Sequence, residues 1–170
     1  MKKLCLFSII SILVVSINSC KKDNSGNATL TVKLKDLTAN YQEVNVEVIE
    51  IQIHSNVNGW ESLNINDSIF DLLLLQNNAN AVLGSLLIPA GTVSQVRLIL
   101  GTQNTVKISN VSYPLEMTSE DESGLKLNIH QDLLANQSYT LMIDFDAGQS
   151  VKDMGNDTYK LKPVLNASFN

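Results

Sequence analysis

Asp144 and Asp146 are the residues of this chain whose types and spacing best suit them to act together. Side chains two apart on an extended strand point the same way, so this spacing predicts two carboxylates on one face. With Asp153 and Asp157 close behind, they are candidates for holding calcium, which takes about six to eight hard oxygen ligands. The alternative is a solvated strand end whose acids pair with Arg97, Lys126 or Lys162. No D-x-D-x-D-G loop accompanies the pair, and the expectation is that no metal is bound. Two carboxylates are also the equipment of a glycosidase, set about 5 Å or about 6.5–9.5 Å apart. The short loops leave little material for a cleft, so an envelope hydrolase built on Asp144 and Asp146 is the least favoured reading. Glu120-Asp121-Glu122 lies in a polar stretch and reads as a solubilising turn.

His54 and His130 are far apart in the chain, and no H-E-x-x-H, G-x-S-x-G, P-loop or G-x-G-x-x-G accompanies them. A non-enzyme without a cofactor is expected. Trp60 follows Asn58-Gly59, a pair suited to a tight hairpin turn. Its expected role is core packing. The alternative is a platform for a sugar ring, since an aromatic face suits apolar C–H patches, with Tyr41 and Tyr113 as companions.

The residue with the clearest chemistry is Cys20. Met1-Lys2-Lys3 precedes the apolar run Leu4 to Ile17, and Asn18-Ser19-Cys20 closes it. A basic head, a short apolar stretch and a small residue before the cut make a secretory signal, and the run is too short for a membrane span of about 20 residues. Ile17, Ser19 and Cys20 resemble the bacterial lipobox. The expectation is therefore cleavage of residues 1–19 and acylation of Cys20, with membrane attachment through the N-terminal acyl chains. Two or more chains anchor stably where one does not. Cys5 leaves with the leader, so acylation of Cys20 uses up the remaining thiol, and no disulfide framework is expected.

Cleavage removes Lys2 and Lys3 and makes the net charge of −5 more negative by two. An acidic surface argues against nucleic acid, which needs clustered Lys and Arg to neutralise phosphates. It also leaves the acyl chains, rather than electrostatics, as the tether. Residues 20–27 are polar and aperiodic and read as a flexible spacer. Lys21-Lys22-Asp23 faintly resembles signals that send some lipoproteins to the cell surface. The expected location is the outer membrane or cell envelope of a Gram-negative bacterium, on its periplasmic face or its surface.

Residues 28–170 are expected to form one domain, organised by period-two alternation. Leu30, Val32 and Leu34 share one strand face. Val44, Val46 and Val48 share another, but Ile49, Ile51 and Ile53 continue the series one residue out of step. A one-residue slip swaps faces, which predicts a bulge or bend near Val48-Ile49 that carries the strand from one sheet to its neighbour. Ser68 to Leu75 suits a buried strand or the start of a helix, and Gln76 to Leu83 a short helix, with another turn near Val151. Leu86 to Ile88 and Thr92 to Leu100 read as strands around Pro89-Ala90-Gly91. A hairpin is expected around Ser109-Asn110, with Pro114 marking an edge strand. Leu125 to Ile129, Tyr139 to Phe145 and Tyr159 to Phe169 follow as strands. Leu134 to Tyr139 has the pattern of a tyrosine corner.

Short alternating strands at this spacing predict an all-β fold, a Greek-key (immunoglobulin-like or transthyretin-like) β-sandwich with at most one or two short helices. Several segments carry a more specific likeness. They are Ala28 to Asp36, Tyr41 to Val46, Gly59-Trp60, Phe70 to Leu73, Ile88 to Leu98, Ser123 to Lys126, Tyr139 to Ala147 and Tyr159 to Val164. Together they resemble the bacterial domain-of-unknown-function family numbered 4382, over essentially the whole domain. The resemblance implies a secreted or lipid-anchored protein with a β-fold and brings no catalytic residues. The functional expectation is a lipid-anchored, non-catalytic binding, adhesion or assembly module with an envelope protein or glycan as partner. The runner-up is a carbohydrate-binding accessory domain using Trp60.

Overall fold

Alternation of small branched apolar residues with polar ones leaves each strand one dry face, and two sheets bury those faces against each other. The computed structural model describes residues 26–37, 39–65 and 68–170. The expected leader, the expected acylation at Cys20 and the expected signal at Lys21-Lys22-Asp23 fall outside the described residues.

Strands β1 (Asn27–Asp36) and β2 (Glu43–Ser55) come first, then β3 (Gly59–Leu63) and β4 (Ile69–Asp71). A 3-10 turn, Leu72–Leu75, leads to β5 (Ala81–Pro89), β6 (Gly91–Leu100), β7 (Thr105–Ile108) and β8 (Val111–Glu116). The single turn α1 (Ser119–Glu122) precedes β9 (Leu125–Leu133) and β10 (Ser138–Phe145). A second turn, α2 (Ala147–Ser150), leads to β11 (Val151–Asp153), β12 (Tyr159–Leu161) and β13 (Leu165–Phe169).

The first sheet has the order β13-β10-β1-β5, with β1 parallel to β10 and the other pairs antiparallel. The second runs β11-β12-β8-β7-β2-β6-β9, and β3 and β4 also pair with β2. Between the sheets lie Leu30, Val32 and Leu34 of β1, Leu141, Ile143 and Phe145 of β10, and Val96 and Leu98 of β6, all fully buried. Each such side chain contributes about 1.5–3 kcal/mol relative to exposure. The all-β sandwich is thus the fold the alternation predicted.

The phase slip in β2 is a bulge. Val46 and Val48 face the core, Ile49 is 54% exposed, and Ile51 and Ile53 are buried again. The pairing to β6 shifts between Val48 and Glu50. Contrary to expectation, β2 does not leave its sheet there; it changes neighbours. Before the bulge it lies between β7 and β4, and after it between β6 and β3. Residues 101–104 make the matching excursion between β6 and β7. Buried Asn104 takes the place of a ladder residue, accepting from the Glu47 N–H at 2.8 Å and donating to the Gly101 carbonyl at 2.7 Å.

Three other expectations need correction. Gln76 to Leu83 is not a helix: Asn77 and Asn78 take positive φ, and the chain from Ala81 joins β5 with Leu83 buried and Val82 exposed. Asparagine tolerates that left-handed region, which ends regular structure locally. Pro114 does not mark an edge, because β8 is flanked by β7 and β12. The Leu115 N–H donates toward Asn104 at 2.8 Å, so the Pro114 nitrogen points the other way, and the β12 ladder starts one residue later. Tyr159 to Phe169 is two strands rather than one, separated around Pro163, with β12 in the second sheet and β13 in the first. The acidic stretch after Thr118 winds into α1, with Thr118 Oγ1 donating to Asp121 Oδ2 at 2.7 Å.

The hairpin at Ser109-Asn110 forms as expected, both residues at positive φ. So does the tyrosine corner: Tyr139 Oη accepts from the Leu134 N–H at 2.9 Å, across a turn with Asn136 at positive φ.

Candidate ligand-binding face

Trp60 does not enter the core. In the β2–β3 register it sits opposite His54, whose neighbours Ile53 and Ser55 point inward, so both rings lie on the outer face of the second sheet. Trp60 is 36% exposed. The guanidinium carbon of Arg97, on β6, lies 4.5 Å from the centre of the indole. His54 meets the same ring edge-on, with centroids 5.1 Å apart and planes at 65°. A cation over an indole face is attracted by the ring quadrupole, so the arginine and the tryptophan hold each other in place.

A row of hydrogen bonds extends this cluster across four strands. Arg97 Nη1 donates to Gln52 Oε1 at 2.9 Å, and Gln52 Nε2 donates to Glu50 Oε1 at 2.9 Å. Ser62 Oγ donates to the same carboxylate oxygen at 2.6 Å. These donors, Ser62 first and then Gln52, hold the Glu50 carboxyl below its ordinary pKa, with a smaller contribution from Arg97. On the other side His54 Nδ1 lies 2.9 Å from Ser94 Oγ, and Gln95 Nε2 donates to Asn128 Oδ1 on β9 at 2.9 Å. The face therefore presents an aromatic ring, a fixed cation and several amides, held by a rigid sheet.

Arg97 is positioned from below by Gly124, whose φ is +102°. A Cβ there would lie 2.9 Å from Arg97 Cδ and 3.0 Å from Cγ. In register, Arg97 pairs with Lys126 and Leu98 with Leu125. Gly59-Trp60, Ile88 to Leu98 and Ser123 to Lys126 thus converge on one arginine.

The other predicted site residues are scattered. Asp144 Oδ2 pairs with Lys35 Nζ at 2.6 Å, not with Arg97, Lys126 or Lys162, while its Oδ1 is shielded from solvent and has no hydrogen-bond partner. Asp146 lies beyond the end of β10 and caps α2, accepting from the Gln149 N–H at 2.8 Å and from Gln149 Nε2 at 2.6 Å. The two acids therefore do not share a strand face. Asp153 sits in the β11–β12 hairpin, where it accepts from the Gly155 N–H at 2.8 Å. Among the described residues, no three His, Cys, Asp or Glu side chains are gathered where they could hold a metal ion. Tyr113 is not near Trp60 but tilts against Tyr159, centroids 5.1 Å apart. Burial, then Asp153, Tyr113, Asp157 and Tyr41, raises the Tyr159 phenol above its ordinary pKa. Tyr41 therefore belongs to that group and not beside the indole.

Sequence reasoning passed over Asp36, which is 5% exposed at the end of β1. Its Oδ1 accepts from the Ala147 N–H at 2.9 Å and its Oδ2 from Gln76 Nε2 at 3.1 Å. It ties the chain after the 3-10 turn to the start of α2. Its signal in the sequence, an acid closing an alternating strand, is a common one. Cavities of about 260 Å³ beside Asn104 and about 230 Å³ beside Lys35 and Asn78 also open on the surface. Both are smaller than the roughly 300–1,000 Å³ typical of small-molecule sites, and Trp60 lines neither.

The family described as Domain of unknown function (DUF4382) matches residues 27–163, from the first residue of β1 to just past β12. The chain belongs to the DUF4382 family. Neither a curated protein nor a solved structure matches it. The DUF4382 match spans both sheets and includes all the residues of the Trp60–Arg97 face.

Proposed function

We propose that this DUF4382 protein is a lipid-anchored module of a Gram-negative cell envelope that binds a partner instead of turning over a substrate. The observation that carries the binding reading is the Arg97–Trp60 stack on an exposed sheet face, braced by Gln52, Glu50 and His54. Binding surfaces draw much of their energy from tryptophan and arginine anchors held rigid before the partner arrives. The carboxylates that an envelope hydrolase would need are engaged elsewhere, Asp144 by Lys35 and Asp146 by the α2 cap. Attachment at the outer membrane, on its periplasmic face or the cell surface, rests on the lipobox at Ile17 to Cys20.

A carbohydrate ligand is the second reading. The amides of Gln52, Gln95 and Asn128 beside a part-exposed indole favour it, since hydroxyl-rich rings are held by amide hydrogen bonds around an aromatic contact.

Metabolic labelling of cells with a palmitate analogue tests the anchor. Label is expected on the wild type and absent from Cys20→Ala; an unlabelled wild type, or equal labelling of both, overturns it. Trp60 emission is the readout for the face. Titration with envelope glycans is expected to shift it if the ligand is a sugar, and emission unmoved by any glycan removes that reading. Loss of envelope association with a partner in Trp60→Ala and Arg97→Ala, at unchanged fold, supports the protein-partner reading.

A further inference from the structure

We infer that the end of the sandwich carrying Gly26 faces the lipid surface and presents three uncharged turns to the headgroups. The inference rests on acylation of Cys20 and adds an orientation to it. The chain enters the fold between two turns. The Gly26 carbonyl accepts from the Ala90 N–H at 2.8 Å, and the Asn27 carbonyl accepts from the Asn136 N–H at 2.8 Å. A Cβ on Gly26 would lie 3.0 Å from Ala135 Cβ. A third turn is locked to the first: Asn56 Oδ1 accepts from the Thr92 N–H at 2.8 Å, and the Asn56 N–H donates to the Thr92 carbonyl at 3.0 Å. A Cβ on Gly91 would meet Asn56 Oδ1 at 2.5 Å, so the corner closes only around glycine.

Reach limits how the sandwich can sit on the membrane. From Cys20 to Gly26 the chain can span at most about 20 Å, at roughly 3.5 Å per residue. The ten-residue β1 is itself about 33 Å long at roughly 3.3 Å per residue. The sandwich therefore cannot stand upright on its far end, which would hold Gly26 about 33 Å from the lipid, whereas the Gly26 end always stays within the tether's reach.

Charge agrees with reach. Ser55 to Gly59, Pro89 to Thr92 and Leu134 to Ser138 contain no Asp, Glu, Lys or Arg, in a chain of net charge −5. The acids Asp36, Asp71 and Asp146 lie at the opposite ends of their strands. An anionic leaflet repels negative charge within a Debye length of about 8–10 Å. Asp132, whose Oδ1 accepts from Thr92 Oγ1 at 2.6 Å, and Glu61, whose Oε1 accepts from Asn58 Nδ2 at 3.0 Å, flank the turns, so only the turns themselves are free of charge. Val57 and Leu134 are 53% and 40% exposed on those turns, and Leu87, nearby on β5, is 65% exposed. These are apolar contacts suited to a headgroup boundary.

The test uses the full chain, expressed in a host that acylates it and reconstituted in phosphatidylethanolamine–phosphatidylglycerol vesicles containing a headgroup nitroxide lipid. Single thiols from Val57→Cys and Leu134→Cys carry a fluorophore, with Leu74→Cys and Met154→Cys as far-end controls; Leu74 and Met154 are 73% and 57% exposed. Quenching several-fold stronger at positions 57 and 134 than at 74 and 154 is the expected result. Equal quenching, or stronger quenching at the far end, in protein that floats with the vesicles overturns the orientation alone. Protein that fails to float overturns the anchor and the orientation together.

Discussion

Arg97 sits above Trp60 with its guanidinium carbon 4.5 Å from the ring centre, while the stem of the same arginine lies over Gly124. One side chain thus connects β3, β6 and the turn before β9. Arg97→Ala is expected to lower stability by about 1–2 kcal/mol, from a cation–π contact of about 0.5–2 kcal/mol and the lost cover on the ring. Urea unfolding measures the loss, and a red shift of Trp60 emission reports the uncovered indole. Arg97→Lys restores charge without the planar fork to Gln52, so it recovers part of the stability and less of the spectral position.

Gly124→Ala forces a side chain into left-handed φ and against Arg97 Cδ. About 1–2 kcal/mol is expected from the backbone conformation alone. Because the new methyl also displaces Arg97, the Gly124→Ala and Arg97→Ala changes are expected to be less than additive in a double-mutant cycle. Strict additivity would mean that the glycine serves its turn only.

Tyr139→Phe removes the acceptor for the Leu134 N–H and nothing else of the ring. Leu134 is 40% exposed, so water replaces part of the bond. A loss of about 0.5–1.5 kcal/mol in thermal or urea unfolding is expected.

Asp36 makes stability depend on pH in an unusual sense. Burial raises its pKa above the ordinary 3.8, against the lowering effect of the Ala147, Gln76 and Leu37 hydrogen bonds, and Asp146 raises it further. The folded state then holds the proton more tightly than the unfolded chain, so this group's contribution falls as pH rises from 3.8 through the folded value. Asp36→Asn is expected to flatten that part of the stability profile between acid and neutral pH, measured by urea midpoints. Asp36→Ala leaves the Ala147 N–H without its acceptor and is expected to cost about 1–3 kcal/mol at every pH.

Local chemistry was legible in the residues. The slip at Val48-Ile49, the asparagine-bearing hairpin at Ser109-Asn110 and the Leu134–Tyr139 corner each depend on neighbours within a few positions. Long-range pairing was not. Nothing near Leu30 announces Tyr139 as its parallel partner. Nothing near Trp60 shows that His54 opposite it points outward, and this decides that the indole leaves the core. Asp144 and Asp146 read as a pair because strand alternation was carried one residue too far; the chain turns after Phe145, and Asp146 becomes a cap. The arginine at the centre of the face stood out in the sequence only as a candidate partner for Asp144 and Asp146. Its meaning comes from Gly59-Trp60 and Ser123-Gly124, which only the fold brings beside it.

The parallel pairing of β1 with β10 bears on how the protein comes into being. Strand β1 is hydrogen-bonded on one side to β5 and on the other to β10, and β13 lies beyond. The strand made first therefore waits for the last third of the chain. Contacts this distant in sequence close slowly, because loop entropy must be lost before they form. The first sheet cannot assemble while Ser138 to Phe169 is still missing. A chain threaded from its N-terminus through a pore would thus keep this sheet open until the threading is almost complete.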